Sequence, residues 1–200
     1  PISFFSLLTK SVYLARRLRK VWAGDEKVGI LLPPSVGGAA VNHAALLLGK
    51  VPVNLNYTLA PEGIASCMAQ CGIQKVVTTA KFLERLNLHL PVEVVLIEDV
   101  AAKPGPMEKL AALILSAVFP AVLLGRALGA ERSPTMEDLA TVIFSSGSTG
   151  DPKGVMLTHA NVVANIQQIN QAISFRQDDR LLGILPFFHS FGFTGTLAAP

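Results

Sequence analysis

KVGILLPPSVGGAAVNHAALLLGKVPVNLN, residues 27–56, decides the fold. KVGILL at 27–32 is a short run too apolar to alternate, closed by Pro33 and Pro34. The segment from Val36 to Lys50 reads as a helix, and VPVNLN at 51–56 as a second buried strand. Strand, helix, strand in immediate succession is the unit from which parallel sheets are built.

Toward the C-terminus the alternation continues. A helix spans Pro61–Cys71, with its proline where the first turn tolerates one, and KVVTT (75–79) and VEVVLIED (92–99) supply two more strands. Strands this apolar are covered on both sides, which predicts an α/β fold with a largely parallel sheet and helices on both faces. Toward the N-terminus, FFSLLTKSVYLARRLRKVW (4–22) is an amphipathic helix. Phe5, Leu8, Val12, Ala15 and Trp22 fall near one face, and Arg16, Arg17, Arg19 and Lys20 supply charge. The basic cluster follows the apolar stretch, the reverse of a signal peptide. Such a helix lies on a membrane or, the preferred reading, forms the outer helix of an α/β domain.

The 200 residues suffice for one domain or two, and half of them are apolar. Mean hydropathy is +0.47 and the pI is near 9.0. A net charge of +3 is too mild for a nucleic-acid partner but suits phosphates or acidic headgroups. Cys67 and Cys71, four apart on a helix, read as buried thiols in a reducing compartment rather than a metal site. His43, His89, His159 and His189 show no zinc spacing. LAALILSAVFPAVLLG (110–125) is shorter than the ~20 residues a membrane span needs and is broken by Pro120. It is either two short buried helices or a half-inserted membrane contact; periodicity does not decide.

SSGSTGDPKG, residues 145–154, follows the strand TVIFS (141–145). Gly147, Gly150 and Gly154 let backbone approach a ligand, and consecutive N–H groups in such a turn make an anion-binding concavity. Ser145, Ser146, Ser148 and Thr149 add hydroxyls, and Lys153 adds a compact charge for phosphate oxygens. After a parallel strand the loop would sit at the carboxyl edge of the sheet, where ligands bind. It is not a Walker loop, because Pro152 stands where that motif has glycine and Gly154 follows the lysine. A merely flexible Ser/Gly loop explains neither the preceding strand nor the Pro-Lys-Gly ending. Beyond it, VML (155–157) is extended. Thr158 caps a helix through Ile173 with Val162, Val163, Ile166, Ile169 and Ile173 as its stripe, and Arg180–Leu185 is a strand.

Every position from Ser145 to Gly154 resembles the phosphate-binding signature of the adenylate-forming, or AMP-binding, enzymes. LPFFHSFGF (185–193) resembles the family's next motif, and VGILLPPS with AAVNHAALLLGKVPVNLNYT resembles the start of its nucleotide-activating domain. The likeness therefore covers nearly the whole chain. Within the family it runs nearest to acyl-CoA and acyl-carrier-protein synthetases. NLNYT, 110–125 and DRLLGILPFFHSFGF resemble the synthetase half of bifunctional 2-acylglycerophosphoethanolamine acyltransferase/acyl-ACP synthetase.

The resemblance implies that a fatty carboxylate attacks the α-phosphorus of ATP. Acyl-AMP and pyrophosphate result, and the acyl group passes to the thiol of CoA or of a phosphopantetheinyl acyl carrier protein. It implies phosphate contacts from Ser145, Ser146, Gly147, Ser148, Thr149, Gly150, Lys153 and Gly154, with Thr149 and Lys153 foremost and Thr149 helping to hold Mg²⁺. It places His189 near the acyl carboxylate, with Phe188 and Phe193 as pocket wall or plain core. For a lone histidine among phenylalanines, the competing reading is a satisfied core residue. By the same resemblance residues 1–200 are the N-terminal portion of an adenylation domain, with the adenine contacts, the Mg²⁺ glutamate and the lid domain lying later. The chain alone is then expected to be inactive and to dimerise through surface its parent buries. A cytoplasmic location follows, at the inner face of a membrane if the apolar segment touches one. Two other classes stay open: a non-catalytic nucleotide or acyl-binding module, and a membrane-associated interaction fragment. Aromatic-acid ligases share the loop, and the apolar composition leans toward a fatty substrate.

Overall fold

The computed structural model describes residues 2–145, 151–173 and 182–198. Its centre is a parallel sheet of four strands, β1 (Lys27–Ile30), β2 (Val51–Asn54), β3 (Lys75–Thr78) and β4 (Glu93–Leu96), in the order β2-β1-β3-β4. Lys27 stands opposite Val51, and Lys75 opposite Glu93. Helices α1 (Phe4–Val21), α2 (Val36–Leu47), α3 (Pro61–Cys71) and α4 (Ala80–Leu86) cover both faces, as the sequence predicts. Alternation along each strand divides the core. Val28, Ile30 and Val77 pack with α1 and α2, while Leu31, Val51, Val53 and Val76 pack with Ile64, Cys67, Met68 and Phe82 of α3 and α4.

Local chemistry sets the helix starts. Ser3 Oγ accepts from the Ser6 N–H at 3.2 Å, Ser35 Oγ from Gly38 at 3.0 Å and Thr79 Oγ1 from Phe82 at 3.1 Å. Pro61 opens α3, and Gly72 closes it in the left-handed region at φ +64°. Cys67 is buried and its thiol is pushed up to about 11 by desolvation; half-buried Cys71 shifts the same way. The described residues contain no cluster of metal-ligating side chains.

Several expectations need correction. Phe5 is exposed, and α1 buries Val12, Leu14, Ala15 and Leu18, with Trp22 at its end. The tail of VEVVLIED is a single helical turn, α5 (Ile97–Val100), whose Glu98 accepts the Ala80 N–H at 3.1 Å. The apolar 110–125 segment does form two helices, α6 (Pro106–Val118) and α7 (Ala121–Leu128), parted at Pro120. They are not buried: Ala112, Ser116, Leu124 and Leu128 face inward, but Ile114 is 49 % and Val118 67 % exposed. Among the described residues no helix is long and apolar enough to cross a membrane.

TVIFS does not join the parallel sheet. It lies in β5 (Leu139–Ser145), which pairs antiparallel with β6 (Lys153–Thr158) as a separate two-stranded sheet. β5 and β6 pair antiparallel because the connection between them is short, since a parallel return needs a crossover of roughly a dozen residues or more. Thr141 Oγ1 donates to the Pro52 carbonyl at 2.7 Å and holds β5 beside β2. After β6, α8 (His159–Ala172) is capped reciprocally, Thr158 Oγ1 accepting from Asn161 N–H at 3.2 Å and Asn161 Oδ1 from Thr158 N–H at 3.0 Å. Only Val162 of its stripe is fully buried, Ile166 and Ile169 are half-buried, and Val163 and Ile173 are exposed. Residues 182–185 are irregular rather than a strand, while Arg180 and Leu181 fall outside the described residues.

Candidate functional site

The described part of the glycine-rich segment is its frame. Ser145 and Lys153 face each other in register at the mouth of the β5–β6 hairpin, and both are exposed. Pro152 is buried, and its carbonyl accepts from Gln70 Nε2 at 2.9 Å, which ties the returning strand to α3. Gly154 stands opposite Phe144. A Cβ there would lie 3.1 Å from Val142 Cγ1 and 3.2 Å from the Phe144 ring, so both side chains crowd the space a larger residue needs and would have to shift. Ser146, Gly147, Ser148, Thr149 and Gly150 lie outside the described residues. A hydroxyl and an ammonium exposed at one end of an anchored hairpin are a donor pair suited to anionic oxygens.

The second motif is built as a tight turn. The His189 N–H donates to the Pro186 carbonyl at 3.1 Å, and the His189 carbonyl accepts from Phe193 N–H at 2.8 Å. α9 (Ser190–Gly192) follows, then a wide helical turn over Phe193–Ala198. A Cβ on Gly192 would collide with the Pro186 carbonyl oxygen, so the turn requires glycine. Phe187 and Phe193 pack in one cluster with Ala140 and Ile143 of β5, Val162 and Leu197. The base of the hairpin and the aromatic turn therefore share a core.

His189 itself is exposed, which rules out the satisfied core histidine. Its ring tilts against Phe188 at 4.6 Å between centroids. Phe188 is buried and meets Tyr57 edge-on at 4.8 Å, and Tyr57 meets Phe82 edge-on at 5.1 Å. Phe193 is core. Tyr57 and Phe82 are absent from the sequence-level site, although each stands just past the carboxyl end of a strand, β2 and β3, where open α/β sheets bind ligands.

A crevice of about 240 Å³ opens at the carboxyl ends of β1 and β3, with Ser35, Gly38, Thr79, Phe82 and Arg85 on its walls. That is the point where the connection leaving β1, to β2, and the one leaving β3, to β4, run in opposite directions. A larger cleft, about 750 Å³, lies between α1, α2, α7 and the start of α8 and contains none of the sequence-predicted site residues. Its two histidines, His43 and His159, both have their pKa lowered by burial. His43 Nε2 lies 3.4 Å from the Leu197 carbonyl, and Asp138 partly offsets the shift at His159. Size alone does not make this cleft the reaction site.

The family model described as AMP-binding enzyme matches residues 1–200. The chain belongs to the AMP-binding enzyme family. It is 32 % identical over 185 residues to 4-coumarate–CoA ligase 5 of Oryza sativa subsp. japonica, covering 86 % of this chain and 32 % of that protein. It is 31 % identical over 158 residues to long chain acyl-CoA synthetase 6, peroxisomal, of Arabidopsis thaliana, covering 76 % and 22 %. The chain thus spans about a third or less of the length of these curated relatives. In fold it is similar to O-succinylbenzoate coenzyme A synthetase of Bacillus subtilis, in complex with ATP and magnesium ion. The TM-score is 0.73 at 22 % identity, over 98 % of this chain and 47 % of that one. Family and α/β architecture agree with the resemblance carried by the two motifs.

Proposed function

We propose that this AMP-binding family chain supplies the phosphate-holding and carboxylate-facing part of an AMP-forming acyl ligase. The ligase joins an apolar carboxylic acid, in our reading a fatty acid, to the thiol of CoA or of a phosphopantetheinyl carrier protein. The observation that carries the reading is the shared core of Ala140, Ile143, Phe187 and Phe193, which makes one body of the hairpin and the aromatic turn.

Lys153 and Ser145, with Ser146–Gly150 and Gly154, hold the β- and γ-phosphate oxygens of ATP. Lys153 is a compact charge that offsets the negative charge growing on pyrophosphate as the carboxylate attacks the α-phosphorus. Fixing the leaving group on an anchored hairpin also removes orientational freedom before the reaction. Mg²⁺, when bound, supplies further charge neutralisation at these oxygens, and Thr149 is the residue of this chain that helps hold it. His189 donates a hydrogen bond to the acyl carboxylate from the platform that Phe188, Tyr57 and Phe82 make. Residues 1–200 act as the N-terminal portion of an adenylation domain in the cytoplasm, and alone they hold phosphate without completing the ligation.

The test is acid-dependent ATP–pyrophosphate exchange by the complete gene product, with fatty and aryl acids compared. Exchange that needs a fatty acid and falls on the order of 10²-fold in Lys153→Ala is the expected result. Exchange only with aryl acids would move the substrate class, and exchange with no acid would leave a non-catalytic binding module. Full exchange by residues 1–200 alone would overturn the division of labour.

A further inference from the structure

α6 is amphipathic the wrong way round for a helix facing water. Ala112 and Ser116 face α1, and Glu108 is bound to Arg17 at 2.6 Å. The opposite face carries Met107, Leu110, Leu113, Ile114 and Val118, all exposed, and Leu123 of α7 extends it at 48 % exposure. A helical period places these side chains on one stripe with no charge among them. Apolar surface this continuous marks an interaction face.

The charge of the same layer identifies the partner. Residues 4–22 and 101–130, which contain α1, α6 and α7, hold eight Lys and Arg against one carboxylate, Glu108. The rest of the chain holds nine against thirteen, so the molecule is electrically lopsided. Arg16, Arg19, Lys20, Lys103, Lys109 and Arg126 are exposed, and the only carboxylate is neutralised by Arg17. Two such layers repel each other, which argues against a second copy as the occupant. The apolar residues stand out along a convex helix rather than line a groove, which argues against a peptide. An apolar stripe with cations around it is the pattern of a helix lying in the headgroup region.

We infer that the α1–α6–α7 layer docks on an anionic lipid surface, with the outer face of α6 entering the headgroup boundary and the surrounding Lys and Arg on the phosphates. No span of the bilayer is involved. The inference stands apart from the ligase reading and does not depend on it.

Flotation with phosphatidylcholine vesicles, with and without phosphatidylglycerol, tests it on both the 200-residue chain and the complete gene product. Both should float with phosphatidylglycerol vesicles and not with phosphatidylcholine alone, and less so as salt rises. Leu110→Gln/Ile114→Gln/Val118→Gln, all at exposed helical positions, should bind about tenfold more weakly or worse. If that triple variant proves unfolded by circular dichroism, Lys103→Gln/Lys109→Gln should still lose the preference for phosphatidylglycerol. Flotation unchanged in the folded variants, or absent in the complete gene product, would overturn the inference. So would a lipid-free dimer in sedimentation that the triple variant dissociates, since the face would then belong to a second copy.

Discussion

Gly154 shows how one residue can serve two masters. The motif that contains it points to phosphate, yet its neighbours are the Val142 side chain and the Phe144 ring, both close to where a Cβ would sit. Gly154→Val should therefore destabilise the fold by about 1–3 kcal/mol, read as a lower urea midpoint at unchanged slope. Lys153→Ala, one residue away but exposed, should leave stability within about 0.5 kcal/mol while exchange falls on the order of 10²-fold. A common loss of stability in both variants would mean that the hairpin mouth is structural. That Gly154 and Lys153 belong to one motif is visible in the sequence from their spacing. The packing reason for Gly154 was not, because Phe144 is its neighbour only once the strands pair antiparallel. Tyr57 was invisible for a like reason, its partners Phe82 and Phe188 being far away in sequence.

Between elements, the parallel unit was legible because its strands are uniformly apolar and its helices carry ordinary starts. What locks α2 to the sheet is less obvious from composition. Asn42 Nδ2 donates to Asn54 Oδ1 at 3.1 Å and to the Gly38 carbonyl at 2.9 Å, and Asn54 Nδ2 returns a bond to Asn42 Oδ1 at 2.7 Å. Both residues are buried, Asn42 within α2 and Asn54 at the end of β2. Asn54→Ala strips one donor and one acceptor from its partner and should destabilise by about 1–3 kcal/mol. Asn42→Leu/Asn54→Val, which removes both amides, should recover a good part of that loss in the same unfolding assay. A double variant worse than the sum would show that the pair specifies the α2 position by geometry and not by satisfied polarity alone. Among the element-level readings that differed or stayed open, two have identifiable reasons. An apolar strand looks the same whether its neighbour is parallel or antiparallel, so β5 was placed in the wrong sheet. Apolarity also does not say what covers a helix, so the sequence left α6 and α7 either buried or half-inserted in a membrane.

Across the whole molecule, charge and protonation are distributed unevenly, and this gives stability a direction with pH. His43 and His159 line the large cleft, and burial lowers both of their pKa values, with the Leu197 carbonyl and Asp138 opposing only in part. In the unfolded chain each returns to about 6.5. Between the lowered folded value and 6.5 the unfolded state binds more protons, so stability must fall as pH drops below about 6.5 and level off above it. Asp138 acts in a different window. Arg132 pairs with its carboxylate at 2.6 and 2.7 Å and the Thr135 N–H adds a bond at 2.6 Å, holding it far below the ordinary carboxylate range. Its contribution is present above the unfolded carboxylate value of about 3.9 and is lost only as pH falls further toward the depressed folded value. Urea midpoints measured from pH 7.5 downward should therefore decline through the histidine range first, and His43→Gln should make that early limb shallower, leaving the share of His159 and the later carboxylate limb in place. A midpoint that rose on acidification through the histidine range would mean that the cleft stabilises imidazolium, which is incompatible with two half-buried rings in a cleft that also holds Arg126 and Arg132.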